Sequence, residues 1–159
     1  MKITLVCVGK VKEKFSRDAI AEFEKRLGRY CRLEIIEVAD EQTPDGMPVS
    51  MEILIKEREG SRILSKIKPD AYVCTLEIGG KKMTSEGFSK FMEQAAITGK
   101  GHIIFVIGGS LGLSEAVMKR SNQAISFSDM TFPHQLMRVI LCEQIYRGFR
   151  ISLGEPYHK

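Results

Sequence analysis

Apolar runs of strand length alternate with helical-period stretches along most of this 159-residue chain. Lys2 to Val8 is apolar and rich in β-branched residues and stops at Gly9, the pattern of a strand buried on both faces. From Ser16 the period changes. Ala19, Ile20, Phe23, Leu27 and Tyr30 recur at three- and four-residue spacing, which puts them on one face of a helix and leaves Arg17, Lys25, Arg26 and Arg29 to water or phosphate. Leu33, Ile35 and Val38 indicate a second strand, and the Pro, Gly and Asp content of Asp40 to Pro48 a loop. Ser50 to Lys68 reads as a helix through Leu54, Ile63, Leu64 and Ile67, although Gly60 inside it costs about 1 kcal/mol against Ala.

Pro69 and Asp70 stop that helix, and Ala71 to Glu77 forms a third strand. Ser85 to Thr98 is a helix with Phe88, Phe91, Met92 and Ala95 inward, and His102 to Ile107 a nearly continuous apolar strand. Ser114 is placed to cap a short helix reaching Ser121, and Ala124 to Ser128 makes a last short strand. The alternation predicts an α/β fold: a mainly parallel sheet with helices on both faces, in one domain over residues 1–159. The final helix, about Gln135 to Ile151, carries Leu136, Met137, Val139, Ile140, Leu141, Cys142, Ile145, Tyr146 and Phe149 on more than one stripe. A helix apolar on most sides must be covered on most sides, and one sheet covers one side, so a second copy of the chain is expected against the other: a homodimer.

Composition narrows the class. With 43% apolar and 28% charged residues, 14 Gly and 5 Pro, collagen, coiled-coil and disordered readings are excluded. No apolar run approaches the roughly 18 to 20 residues that span a bilayer, and the opening apolar stretch is too short for a secretory signal, so a soluble cytoplasmic protein is expected, with no membrane partner. Cys7, Cys31, Cys74 and Cys142 lie far apart with no C-x-x-C pair, and His102, His134 and His158 cluster neither with them nor with each other. Buried reduced thiols and no metal are expected, with His102 and His134 structural. The net charge of +4 is local: Lys10 to Arg32 holds eight Lys or Arg and four Asp or Glu, 8 − 4 = +4. Such a concentration suits a polyanion, and equally a solvated amphipathic helix.

In parallel α/β sheets ligands bind beyond the carboxyl ends of the strands. Three loops there are rich in turn residues: Leu76-Glu77-Ile78-Gly79-Gly80, Ile107-Gly108-Gly109-Ser110-Leu111-Gly112 and Phe127-Ser128-Asp129-Met130-Thr131-Phe132-Pro133. Glycine permits close approach of main chain to a ligand, so Gly108 and Gly109 fit either a cofactor grip or a simple turn. There is no G-x-G-x-x-G after the first strand, no phosphate loop and no G-x-S-x-G elbow, which disfavours dinucleotides, nucleoside triphosphates and serine hydrolysis. Glu143 and Arg147, four apart on the last helix, share a face either as a phosphate- or carbonyl-holding pair or as an ordinary surface ion pair.

The stretch FVIGGSLGLSEAV from Phe105 to Val117, the run SFSDMTFPHQLMRVILCEQIYRGFRI, the opening KITLVCVGK and the terminal PYHK together resemble the RlmH family over essentially the whole chain. These are small SPOUT-class methyltransferases. The resemblance implies a C-terminal trefoil knot, a homodimer, and transfer of a methyl group from S-adenosylmethionine to N3 of a pseudouridine in large-subunit (23S) ribosomal RNA, with an assembled ribosome as partner and no metal. Carried over position by position, it implies cofactor contacts at Leu76, Gly108 and the run Phe127, Ser128, Asp129, Met130, Thr131 and Phe132. It also implies a catalytic set of Glu143, Arg147, Tyr157 and His158, the tail reaching the neighbouring subunit's pocket. Asp129 either favours the sulfonium cation or faces water. Lys159 stands where relatives are expected to carry Arg. Two rivals follow: a SPOUT enzyme acting on another RNA position, and a non-catalytic ribosome-binding factor with a vestigial pocket.

Overall fold

A computed structural model describes residues 1–159. Five strands, β1 (Lys2–Val8), β2 (Arg32–Val38), β3 (Tyr72–Lys82), β4 (His102–Ile107) and β5 (Gln123–Ser126), form one sheet in the order β2-β1-β4-β3-β5. Every pairing is parallel, as continuous apolar strands require. The helices are α1 (Lys14–Leu27), α2 (Val49–Leu64), α3 (Ser85–Thr98), α4 (Glu115–Arg120) and α5 (His134–Ser152). Alternate residues of the central strands divide between two cores. Ile3, Leu5, Ile103 and Phe105 pack with Leu27 of α1, Phe88 and Met92 of α3 and Leu141 and Ile145 of α5. Val6, Val8, Ile104 and Val106 pack with Ile63 of α2 and Val117 of α4 on the opposite face.

Helix boundaries follow local chemistry. Thr84 caps α3 by accepting from the Gly87 N–H at 3.0 Å, and Ser114 caps α4 by accepting from the Val117 N–H at 3.3 Å. The α1 helix begins at Lys14, ahead of the expected Ser16, and α2 ends at Leu64 rather than Lys68. Gly60 has a packing reason that periodicity does not reveal: a Cβ there would lie 2.3 Å from the Ser114 Oγ where α2 meets the start of α4.

One expectation requires correction. The glycines after strand three do not form a turn. β3 runs on through Ile78, Gly79 and Gly80 to Lys82, with an irregularity between Leu76 and Lys81 that lets both Leu76 and Lys81 register with Ile125. A Cβ on Gly80 would sit 2.5 Å from the Ile125 carbonyl carbon, so glycine is what admits β5 alongside. Accordingly β5 ends at Ser126, and Phe127 and Ser128 belong to the following loop.

The breadth of the apolar surface on α5 is largely covered within the chain. Tyr146 packs its ring 6.2 Å from Phe23 and 5.9 Å from Tyr30, Phe149 stacks on Tyr30 at 5.5 Å, and Gly148 faces Met92 and Ser89 of α3. Flanking by α1 and α3 covers these residues within the chain. Leu136 at the start of the helix stays exposed.

Candidate functional site

The outer half of β3, from Leu76 to Gly79, and the loops after β4 and β5 meet in a cleft of about 610 Å³ at the carboxyl edge of the sheet. It is lined by Leu76, Ile107, Leu113, Met130, Phe132 and Met137 together with the glycine turn Gly108 to Gly112 and the segment Ser126 to Ser128. The turn after β4 is closed by the Gly112 N–H donating to the Gly109 carbonyl at 3.1 Å, with Gly112 at φ +90°. A Cβ at Gly108 would lie 3.0 Å from the Gly112 carbonyl carbon and oxygen, so a side chain there would crowd the turn. In the loop after β5, the Met130 N–H donates to Ser128 Oγ at 2.9 Å, and Ser126 Oγ donates to the Ser128 carbonyl at 3.0 Å. The size and the apolar walls with main-chain polar groups between them are those of a site for a nucleoside-sized molecule.

Of the eight residues assigned to cofactor contact, Leu76, Gly108, Phe127, Ser128, Met130, Thr131 and Phe132 line this cleft. Asp129 does not. Its exposed carboxylate pairs with Lys82 Nζ at 2.5 Å. His134, expected to be structural, instead lines the cleft margin with a buried Nδ1 that has no hydrogen-bond partner. Burial, followed by the nearby Arg138 charge, pushes its pKa below the usual histidine value. His102, by contrast, bonds through Nε2 to Thr4 Oγ1 at 2.9 Å, a structural contact between neighbouring strands.

Arg138, one turn further along α5, was equally unforeseen. It is fully buried, donates to the Val8 and Gly9 carbonyls at 3.0 and 2.7 Å, and pairs with Glu37 at 2.6 Å. It therefore ties the carboxyl end of β1 to the helix that borders the cleft. The only available signal was an Arg at an inward position of an otherwise apolar stripe.

Glu143, Arg147, Tyr157 and His158 come together in a second cluster, and none of the four lines the cleft of its own chain. Arg147 donates to Glu143 Oε1 through Nη2 at 2.6 Å and Nε at 3.0 Å, and its guanidinium carbon lies 4.7 Å from the centre of the Tyr157 ring. Tyr157 donates its hydroxyl to the same Glu143 oxygen at 3.0 Å. Burial and that bond push the phenol above its ordinary pKa. The ring of His158 bridges Arg147 Nη1, 3.2 Å from Nδ1, and Glu86 Oε1, 2.8 Å from Nε2.

A backbone motif aims this tail. Gly154, at φ +65°, donates to the Ile151 carbonyl, and the Glu155 N–H donates to the Arg150 carbonyl at 2.8 Å, the paired bonds of a Schellman ending that reverses the chain over α5. Arg150 then fastens it, donating to Glu155 Oε2 and to the Pro156 carbonyl, both at 2.6 Å. Tyr30 of the α1–β2 connection donates to the same carboxylate, which its hydrogen bond and the Arg29 and Arg150 charges hold below the usual carboxylate pKa. These bonds latch the tail to α5 and to the α1–β2 connection.

The basic face of α1 is less free than its spacing suggests. Arg17 donates to the Val11 and Lys12 carbonyls, Arg26 pairs with Glu22 at 2.9 Å, and Arg29 pairs with Glu155 at 3.4 Å. Cys7 and Cys142 are buried with thiol pKa values pushed up to about 12, and half-buried Cys31 to about 11, so none of the three is poised as a nucleophile. No group of three or more His, Cys, Asp or Glu side chains is gathered in metal-binding geometry, and no helix is long and apolar enough to cross a membrane.

Comparison with known proteins places this geometry. The chain is 58% identical to a ribosomal RNA large subunit methyltransferase H of Clostridium botulinum (strain Eklund 17B / Type B), over the full length of both. Proteins of the same name from Bifidobacterium adolescentis and Clostridium beijerinckii are 58% and 56% identical, again over all of both chains. A solved structure of a probable methylase family protein from Haemophilus influenzae Rd KW20 superposes with a TM-score of 0.55 over 99% of this chain and 70% of that one, at 11% identity, a likeness of fold alone. The family model described as "Predicted SPOUT methyltransferase" matches residues 1–158. With its sheet edge, its glycine turn and its full-length relatives in agreement, the chain belongs to the SPOUT methyltransferase family.

Proposed function

We propose that this chain transfers the methyl group of S-adenosylmethionine to N3 of a pseudouridine in 23S ribosomal RNA, working as a cytoplasmic homodimer on the assembled ribosome and needing no metal. The observation that carries the reading is the convergence of Leu76, Gly108, Phe127, Ser128, Met130, Thr131 and Phe132 on one largely apolar cleft. The residues fit the cofactor. Leu76, Met130 and Phe132 supply walls for a flat adenine, and the peptide groups of the two turns offer donors and acceptors to its edge. When bound, S-adenosylmethionine supplies a methyl group made electrophilic by its sulfonium. The threading of the last elements as a trefoil knot belongs to the same reading.

The acceptor nitrogen is an imide, nearly non-nucleophilic while protonated, so the site must take its proton or stabilise its anion. His158 is the proton acceptor in this account. Arg147, held on Glu143, meets a phosphate or a base carbonyl with its remaining N–H groups, and Tyr157 offers a ring face to the base. Because the four lie apart from their own chain's cleft, the working site is composite, one protomer giving the cleft and its partner the tail. Positioning supplies most of the rate enhancement.

Two measurements test this. Calorimetry with S-adenosylmethionine should show binding that Leu76→Arg abolishes; no binding to the native chain would favour a non-catalytic ribosome factor. Mass spectrometry of ribosomal RNA from cells lacking the protein should reveal one pseudouridine without its methyl group, and an unchanged modification pattern would refute the assignment.

A further inference from the structure

His158 is gripped from two helices, and the chemistry of the two grips fixes its protonation. The guanidinium of Arg147 has donors only, so the ring nitrogen facing it, Nδ1 at 3.2 Å, must accept. The opposite nitrogen, Nε2, must then carry the hydrogen, which it donates to Glu86 Oε1 at 2.8 Å. Glu86 is well placed for this. It lies in the first turn of α3, just after the Thr84 cap, where the helix end favours a carboxylate.

We propose that Glu86 is a positioning residue for the tail histidine: it holds the ring as the Nε2–H tautomer, makes Nδ1 the proton-accepting atom, and steadies the imidazolium that forms. The inference rests on the reading of His158 as proton acceptor. In the resting state Arg147 covers Nδ1, so the base is masked. When a phosphate or carbonyl of the RNA draws the guanidinium away, Nδ1 is uncovered next to the incoming base. The N3–H proton then passes to Nδ1, the N3 lone pair forms the new N–CH3 bond, and the electrons of the broken C–S bond stay on sulfur, leaving the neutral thioether. Glu86 keeps its bond to Nε2–H throughout and meets the positive charge that the ring acquires. Charged and titratable groups around the ring are Glu86 from α3, Glu143 and Arg147 from α5, and Tyr157 and Lys159 of the tail.

The test compares Glu86→Gln, Glu86→Asp and His158→Asn in the full-length protein, with ribosomes from cells lacking the enzyme as substrate. Nitrogen NMR of the native protein should show His158 protonated at Nε2 and bare at Nδ1. Glu86→Gln removes the charge that favours the imidazolium, so the acidic limb of the kcat profile should move to lower pH. We expect kcat to fall about 10- to 100-fold with KM for ribosomes and cofactor affinity unchanged, and Glu86→Asp to recover part of the loss. Coupled to His158→Asn, Glu86→Gln should add little further loss. If Glu86→Gln leaves kcat and its pH profile as in the native protein while His158→Asn is inactive, Glu86 has no positioning role and the base assignment stands. If His158→Asn is fully active, the base assignment itself fails.

Discussion

The cleft and the tail cluster are built from different materials. The cleft is main chain and apolar side chains, held open by glycines at positions where a Cβ would be crowded. The tail cluster is a web of charged and hydroxyl groups, in which Glu143, Arg147, Tyr157, His158 and Glu86 each make directional bonds and Arg150, Glu155 and Tyr30 hold the base of the arm. A main-chain site binds and tolerates side-chain change, except where backbones touch. A side-chain web is sensitive to single atoms but contributes little to global stability, because partly exposed ion pairs are individually worth about 1 kcal/mol or less. Binding and turnover should therefore separate by mutation.

The largest effect is expected at Gly80→Val. Forcing a side chain into the Ile125 backbone, 2.5 Å from the Cβ position, should part β5 from β3, destabilise the fold by about 3 kcal/mol and erase cofactor binding, as chemical denaturation and calorimetry would show. Removal of Tyr157 to Lys159 should leave the melting curve and cofactor affinity nearly unchanged while lowering methyl transfer by more than about 100-fold. Glu155→Ala unfastens the arm without removing it, so kcat should drop by about 10-fold with a small stability loss, and hydrogen exchange at residues 155–158 should quicken. The Glu155 carboxylate titrates below its ordinary range, so the latch is fully present above that range and is lost as pH falls through the depressed value; tail exchange should accelerate only on acidification below the ordinary carboxylate range. The smallest change should come from Lys25→Glu on exposed α1, a slight weakening of ribosome affinity, greatest at low salt, with cofactor binding untouched. Loss of cofactor affinity on tail deletion would break the division between the two regions.

Much of the frame was readable from residue order. The apolar runs of β1 and β4 have no solvent face and so announced a parallel sheet, and Ser114 announced its helix by capping chemistry. The two loops of the cleft, after β4 and β5, follow from strand order and turn residues. What stayed hidden depends on contacts between distant segments. Gly79 and Gly80 look like a turn until β5 is known to lie beside them, and Arg138 looks solvated until the ends of β1 and β2 meet it. Nothing local on α5 tells that α1 and α3 both flank its apolar breadth. The tail cluster was legible through family resemblance, whereas Glu86, Arg150, Glu155 and Tyr30 carry no pattern in sequence and emerge only when the Schellman turn folds the tail back.

The composite site is tested most directly by mixing two inactive chains. Protomers lacking Tyr157 to Lys159 are combined, by reversible denaturation and refolding, with protomers carrying Leu76→Arg, and methyl transfer to ribosomes is measured. The account predicts restored activity, because a hybrid dimer pairs one intact cleft with one intact tail. A mixture that forms hybrid dimers yet stays as inactive as its parents would place cleft and tail in the same chain and contradict it.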